Sequence, residues 1–243
     1  MSIAEKLTTI AENEQKVYNA GYEKGKSEGG TGGTDYLPYS TSATFPNMNL
    51  FGKSNVVLNM PYLNRTDAMF RPNIAIFGNE ALNRTVEHIT INSEANITSI
   101  NMMFYTAEPW DPDNVLKHIT LNFDTSQSEY ASNFINGLYN LETVDGTPLD
   151  FSSTKGSNAG FSSVPKLAHI RVVPNTIKVA FIANSPALSN ESIQSIIDGL
   201  ADLTDGTAET LTLHSTVGAK LTDEQKATIT AKNWTLVYKG VIL

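Results

Sequence analysis

LKHITLN, Leu116 to Asn122, is the stretch from which the rest of the chain can be read. It has a near copy upstream, VEHITIN at Val86 to Asn92, and a looser one downstream, LAHIRVV at Leu167 to Val173. In each copy apolar residues stand at the first, fourth and sixth places and a histidine at the third. The whole chain holds 4 histidines, and His88, His118 and His169 all occupy that third place. Two explanations compete: a metal or catalytic site spread over three segments, or a repeat that happens to carry histidine.

Extending the alignment favours the repeat. The units are Val86-x-x-Ile89-x-Ile91, Leu116-x-x-Ile119-x-Leu121, Leu141-x-x-Val144 and Leu167-x-x-Ile170-x-Val172. Ala208-x-x-Leu211-x-Leu213 follows, then a weaker copy through Leu236 and Tyr238, and the starts lie 30, 25, 26, 41 and 25 residues apart. A core of this form, repeating every 20–30 residues or so, is the pattern of a leucine-rich repeat, where each unit adds one short strand to a stacked parallel sheet. Phe70, Phe104, Phe134 and Phe161 recur at steps of 34, 30 and 27, as aromatics filling the return side of each coil would. The predicted fold is an α/β solenoid: an irregular leucine-rich-repeat domain over residues 46–243, with a helical cap over about 188–232.

The cap is read from LSNESIQSIIDGLADLTDG. Ser189 is placed to cap a helix whose apolar stripe is Ile193, Ile196, Ile197 and Leu200, with Gly199 near its end. TDEQKATITAKN predicts a second, shorter helix. At the other end, residues 1–28 read as a helix with Ser2 and Glu5 forming a capping box. Its apolar residues Ile3, Leu7, Ile10 and Val17 follow a heptad seam about two heptads long, too short to stand alone. That stripe needs a partner, either a neighbouring surface or copies of itself. Residues 29–45, opening with GGTGGT, read as a flexible Gly/Thr-rich linker.

Composition narrows function. A net charge of −8 without clustered Lys and Arg argues against nucleic acid as the main partner. No cysteine is present, so disulfides, zinc–thiolate sites and thiol catalysis are excluded. The amino terminus does not read as a signal peptide, and no apolar run reaches the roughly 18 residues of a membrane span. A soluble protein made in the cytoplasm is expected.

Period-2 alternation places the residues flanking the second apolar position on the outward face of the strand. His88, His118 and His169 fill one such column; Thr90, Thr120 and Arg171 fill the next. His88 and His118 should stand about 5 Å apart, one strand spacing. His169 is two coils further on, with Thr143 between, and few carboxylates join the set, so no metal site is assigned. A ligand-touching surface column is the better reading. The loop EPWDPDN, Glu108 to Asn114, gathers Glu108, Asp111 and Asp113 around Trp110, which is suited to stacking on a sugar ring. Ser152 and Lys155 form an S-x-x-K string without its companion motifs, and GGTGGT lacks the strand and helix that a phosphate-binding loop requires. No catalytic residues and no cofactor are assigned.

Both termini resemble one family. LSNESIQSIIDGLADLTDGTAETLTLHSTVGAKLTDEQKATITAKNWTLVY, Leu188 to Tyr238, and IAEKLTTIAENEQKVYNAGYEKGKSEG, Ile3 to Gly29, are similar to the ends of phage-encoded leucine-rich-repeat proteins of Firmicutes tailed phages. The internal MF…LxxIxL units resemble the BspA-type repeats of those proteins. The resemblance implies a virion structural protein of the tail, baseplate or fibre, synthesised in the host cytoplasm and attached or trimerised through its N-terminal helix. A non-catalytic adhesion role toward a host-surface glycan or protein is the leading expectation. A purely structural decoration protein comes second, and a tail-associated polysaccharide-degrading enzyme third.

Overall fold

The computed structural model describes residues 35–37, 54–59, 86–94, 96–105, 115–156 and 158–239. Among these, the strands are β1 (Asp35–Leu37), β2 (Asn55–Asn59), β3 (His88–Asn92), β4 (Phe104–Tyr105), β5 (His118–Asn122) and β6 (Ile135–Asn136). They continue with β7 (Thr143–Gly146), β8 (Ala159–Ser162), β9 (Phe181–Ala183), β10 (Glu209–His214) and β11 (Trp234–Lys239). The helices are α1 (Asn190–Gly199), α2 (Ser215–Gly218) and α3 (Asp223–Ala231). The predicted N-terminal helix, with Ile3, Leu7, Ile10 and Val17, lies outside the described residues, as does Phe70.

The strands pair in parallel and form two sheets. The front sheet runs β1-β2-β3-β5-β7 and the back sheet β11-β10-β9-β8-β6-β4. From β3 to β8 the chain alternates between them, so each turn adds one strand to each sheet. Parallel sheets with few helices place the chain in the α/β class.

The repeat core explains the front sheet. In β3 the buried positions are Ile89 and Ile91, and in β5 they are Ile119 and Leu121, each at most 1% exposed. Val86, Leu116, Leu141 and Leu167, which open the units, are equally buried. Each such side chain contributes roughly 1.5–3 kcal/mol by leaving water. Register is one to one: Ile89 sits beside Ile119, and Ile119 beside Val144. A slip of one residue would turn every buried side chain outward.

The recurring phenylalanines do more than fill a return side. Phe104 and Phe161 lie in β4 and β8, Phe134 directly precedes β6, and Phe181, outside the predicted series, lies in β9. All four are buried, and Phe104 meets Phe134 edge to face at 6.4 Å. Between the sheets, buried hydroxyls knit neighbouring turns. The Thr125 hydroxyl donates to the Asp150 carbonyl at 2.9 Å and accepts from its N–H at 2.7 Å, and Thr154 donates to the Ser128 carbonyl at 3.1 Å. Gly160 marks the closest backbone approach: its φ is +112°, and a Cβ there would stand 2.2 Å from the Ile182 carbonyl oxygen.

Two expectations need correction. The unit opening at Ala208 does not extend the front sheet; β10 and β11 join the back sheet beside β9. The reason is α1. After β7, among the described residues, the front sheet is continued by isolated bridges from Thr143 to His169 and from Leu149 to Val172. Helix α1 then takes the place that a further strand would occupy. Second, β1 lies inside the segment read as a linker, where Tyr36 and Leu37 pair with Val57 and Leu58. Both are residue types that strands accept readily or half-bury, which the glycines before them obscured.

Helix α1 begins at Ser189, whose hydroxyl accepts from the Ser192 N–H. Its inner face meets the edge of residues 168–172 with two serines. Ser192 accepts from the Ile170 N–H at 3.0 Å and donates to the Ala168 carbonyl at 2.9 Å. Ser195 accepts from the Val172 N–H at 2.9 Å. These hydroxyls, one helical turn apart, satisfy an edge that would otherwise offer itself to another chain. At the far end of α1, the Lys232 ammonium donates to the carbonyls of Leu200, Ile197 and Asp198 at 2.6, 3.2 and 3.3 Å. A cation at a helix C-terminus answers both the orphan carbonyls and the dipole. Helix α3 starts with the capping box of Thr222 and Gln225.

Candidate functional site

The outward face of the front sheet gathers the residues singled out from sequence. Its strands read NVVLN, HITIN and HITLN in β2, β3 and β5. In-register pairing lines their outward side chains into three columns that run across the strands.

The first column is the histidine column. His88 and His118 stack face to face, with ring centroids 4.4 Å apart and planes inclined by 19°. His118 Nδ1 lies 2.6 Å from the Thr143 hydroxyl, and Thr143 is bridged to His169 in the next turn. Stacking decides the chemistry: ring nitrogens point outward within their own planes, so two stacked imidazoles do not converge on one ion. No group of three or more His, Cys, Asp or Glu is placed to hold a metal among the described residues. Burial lowers the pKa of His88 below the ordinary histidine value, and the charge on His118 lowers it further. Glu87 opposes this and Lys117 adds to it. Glu87 and Lys117 form an ion pair at 3.0 Å across the two turns, so they flank the face as a neutral pair.

The second column joins Val57, Thr90, Thr120 and Asp145. Arg171 continues this direction, and its guanidinium donates to the Gly146 carbonyl. The Thr90 and Thr120 hydroxyls have no hydrogen-bond partner among the described residues.

The third column was missed from sequence. Asn122 donates its amide to Asn92 Oδ1 at 2.8 Å, and Asn92 donates to Asn59 Oδ1 at 2.7 Å. This is an asparagine ladder, in which identical amides at one strand spacing satisfy each other. The signal was present, since each of the three strands ends in Asn. Trp110 and the acids of the Glu108–Asn114 loop lie outside the described residues.

A shallow concavity of about 550 Å³ lies elsewhere, against α1, lined by residues that include Glu191, Gln194, Asp198 and Gln225. Its polar groups already bond to one another: Gln194 donates to Asp198 at 2.8 Å and Gln225 to Gln194 at 3.0 Å. The front face offers a ligand rows of amide, hydroxyl and imidazole. Comparison with protein-family models, with curated proteins and with solved structures finds no match to the chain.

Proposed function

We propose that the chain is a non-catalytic adhesion protein of a phage virion, in the tail, baseplate or fibre. In this reading the two sheets are the sides of an irregular leucine-rich-repeat solenoid. Residues 1–28 attach it to other virion proteins or assemble it as a homo-oligomer, with a trimer favoured. The front face is turned toward a glycan or protein of the host surface. One observation carries the reading: the front face is an ordered, in-register array of side chains that are polar except for Val57. Such an array offers many modest hydrogen bonds, each worth about 0.5–1.5 kcal/mol net, and weak sites of this kind gain strength through copy number. The decisive experiment is adsorption. Purified full-length chain should bind susceptible cells and compete with phage adsorption. If it does neither, the adhesion reading fails and a decoration role, with the front face packed on other virion proteins, takes its place.

A further inference from the structure

Resting on that adhesion reading, we infer that the front face binds a linear, uncharged, polyhydroxylated polymer: a neutral glycan chain lying across the strands, with successive units on successive turns. Charge comes first. The chain carries a net −8, yet the outward positions of β2, β3 and β5 hold no Asp, Glu, Lys or Arg; the next residue along the threonine column is the acid Asp145 in β7, which would repel an anion, and Arg171 beyond it is bonded to the Gly146 carbonyl. A phosphorylated or carboxylated polymer would find no counter-charge there. A protein partner would need a buried apolar or aromatic anchor at the centre of its contact. The central column instead holds Thr90 and Thr120, with the small Val57 beside them and no aromatic.

Hydrogen-bonding capacity comes second. The Thr90 and Thr120 hydroxyls are half-buried, aligned in register and without partners among the described residues. On either side of them the side chains are held in place, by the stack of His88 on His118 and by the ladder through Asn92 and Asn122. Groups fixed before binding lose little freedom on binding, so an ordered row is worth more than the same residues on a loop. Spacing comes third. Neighbouring strands stand about 4.8 Å apart, close to the advance of one sugar unit in an extended chain. A polymer of that advance brings a fresh set of hydroxyls to each turn.

The test uses the full chain on susceptible cells treated with periodate, which cleaves vicinal diols, or with protease. Binding should be lost after periodate and survive protease. Cello-oligosaccharides, whose 2,3-diols periodate cleaves, serve as a linear neutral probe, and affinity should rise about fivefold per added unit from disaccharide to tetrasaccharide, the factor that one net hydrogen bond supplies. Oligogalacturonates of equal length, which are charged, should bind at least about tenfold more weakly. The double variant T90V/T120V should lose at least about tenfold in tetrasaccharide affinity with an unchanged thermal midpoint, because valine fits a strand as well as threonine. Cell binding that protease abolishes, or that the double variant retains in full, overturns the glycan inference while the adhesion reading stands. Oligosaccharide binding without cell binding leaves the site intact and removes the adhesion reading. If both are absent, both fail.

Discussion

Replacing Ser192 by alanine tests whether α1 stands in for a strand. Ser192 is 3% exposed, and its hydroxyl accepts from the Ile170 N–H at 3.0 Å while donating to the Ala168 carbonyl at 2.9 Å. Alanine leaves the Ile170 N–H buried without an acceptor, because the opposite side of that segment is already bonded to β7 and its flanks. Val144 donates to the His169 carbonyl, and Leu149 to the Arg171 carbonyl. An orphaned buried donor costs about 1–3 kcal/mol, and the lost bonds to the Ala168 carbonyl and from the Ser189 hydroxyl, the latter long at 3.2 Å, together about 0.5–1.5 kcal/mol. The Ala168 carbonyl keeps the Ser189 N–H at 2.9 Å, which softens that second loss. Alanine also returns about 0.5 kcal/mol of helix propensity. A net loss of about 2 kcal/mol is expected, which lowers Tm by roughly 4–8 °C in a domain of this size. Ser195→Ala, at a half-buried position where the hydroxyl accepts from the Val172 N–H at 2.9 Å and donates to its carbonyl at a long 3.4 Å, should cost about 1 kcal/mol. Thermal and urea melts give the energies, and amide exchange at Ile170 gives the location. If S192A melts with the wild type and the Ile170 amide stays as protected as before, α1 does not serve as the edge partner and the reasoning is wrong.

The remaining predictions concern other points of the fold. Gly160→Ala should lower stability by at least about 3 kcal/mol, from positive-φ strain and the contact with the Ile182 carbonyl. Gly206→Ala, where a Cβ would meet only ordinary contact, is the control, and equal melting temperatures for the two variants would contradict the geometry. Lys232→Met keeps the aliphatic stem but strips the ammonium from the end of α1, costing about 1–2 kcal/mol in a urea melt. His88 predicts a pH dependence. In the unfolded chain it takes its proton near 6.5, and in the fold only at lower pH, so the unfolded state binds more protons between the two values. Its contribution is therefore intact above about pH 6.5 and is lost as pH falls toward the folded value, levelling off beyond it. His88→Gln should shrink that loss when melts are compared across pH, and identical profiles would remove His88 as its source.

The legible parts of the fold were those with a long enough pattern. Ile89, Ile91, Ile119 and Leu121 announce buried strand positions by alternation, and Ser189 announces its helix by position and spacing. The back sheet was hidden because β4 and β6 have two residues each, too few to show any period. The placement of β10 was hidden for a different reason: TLTLH alternates in the same way whichever sheet it joins. Only the bulk of α1 beside residues 168–172 decides the matter, and that is a tertiary fact. On the candidate site, the columns of His88 with His118 and Thr90 with Thr120 followed from register. The ladder of Asn59, Asn92 and Asn122 followed from the same register, but it depends on amides reaching each other, which residue types alone do not reveal.

The cross-turn side-chain pairs have a consequence for how such a chain changes over generations. Glu87 meets Lys117, Glu129 meets Lys155 and Asn140 meets Lys166, each at a separation of 26 to 30 residues. A segment of that length therefore carries within itself the contacts that join it to its neighbour. Near-identical stretches such as HITIN and HITLN mark where one unit could be added or removed with those joining contacts kept. The ends, closed by α1 on one sheet and extended by β10 and β11 on the other, would be left untouched. The reach of the polar face is thus a heritable length that can change by single steps while the rest of the molecule stays as it is.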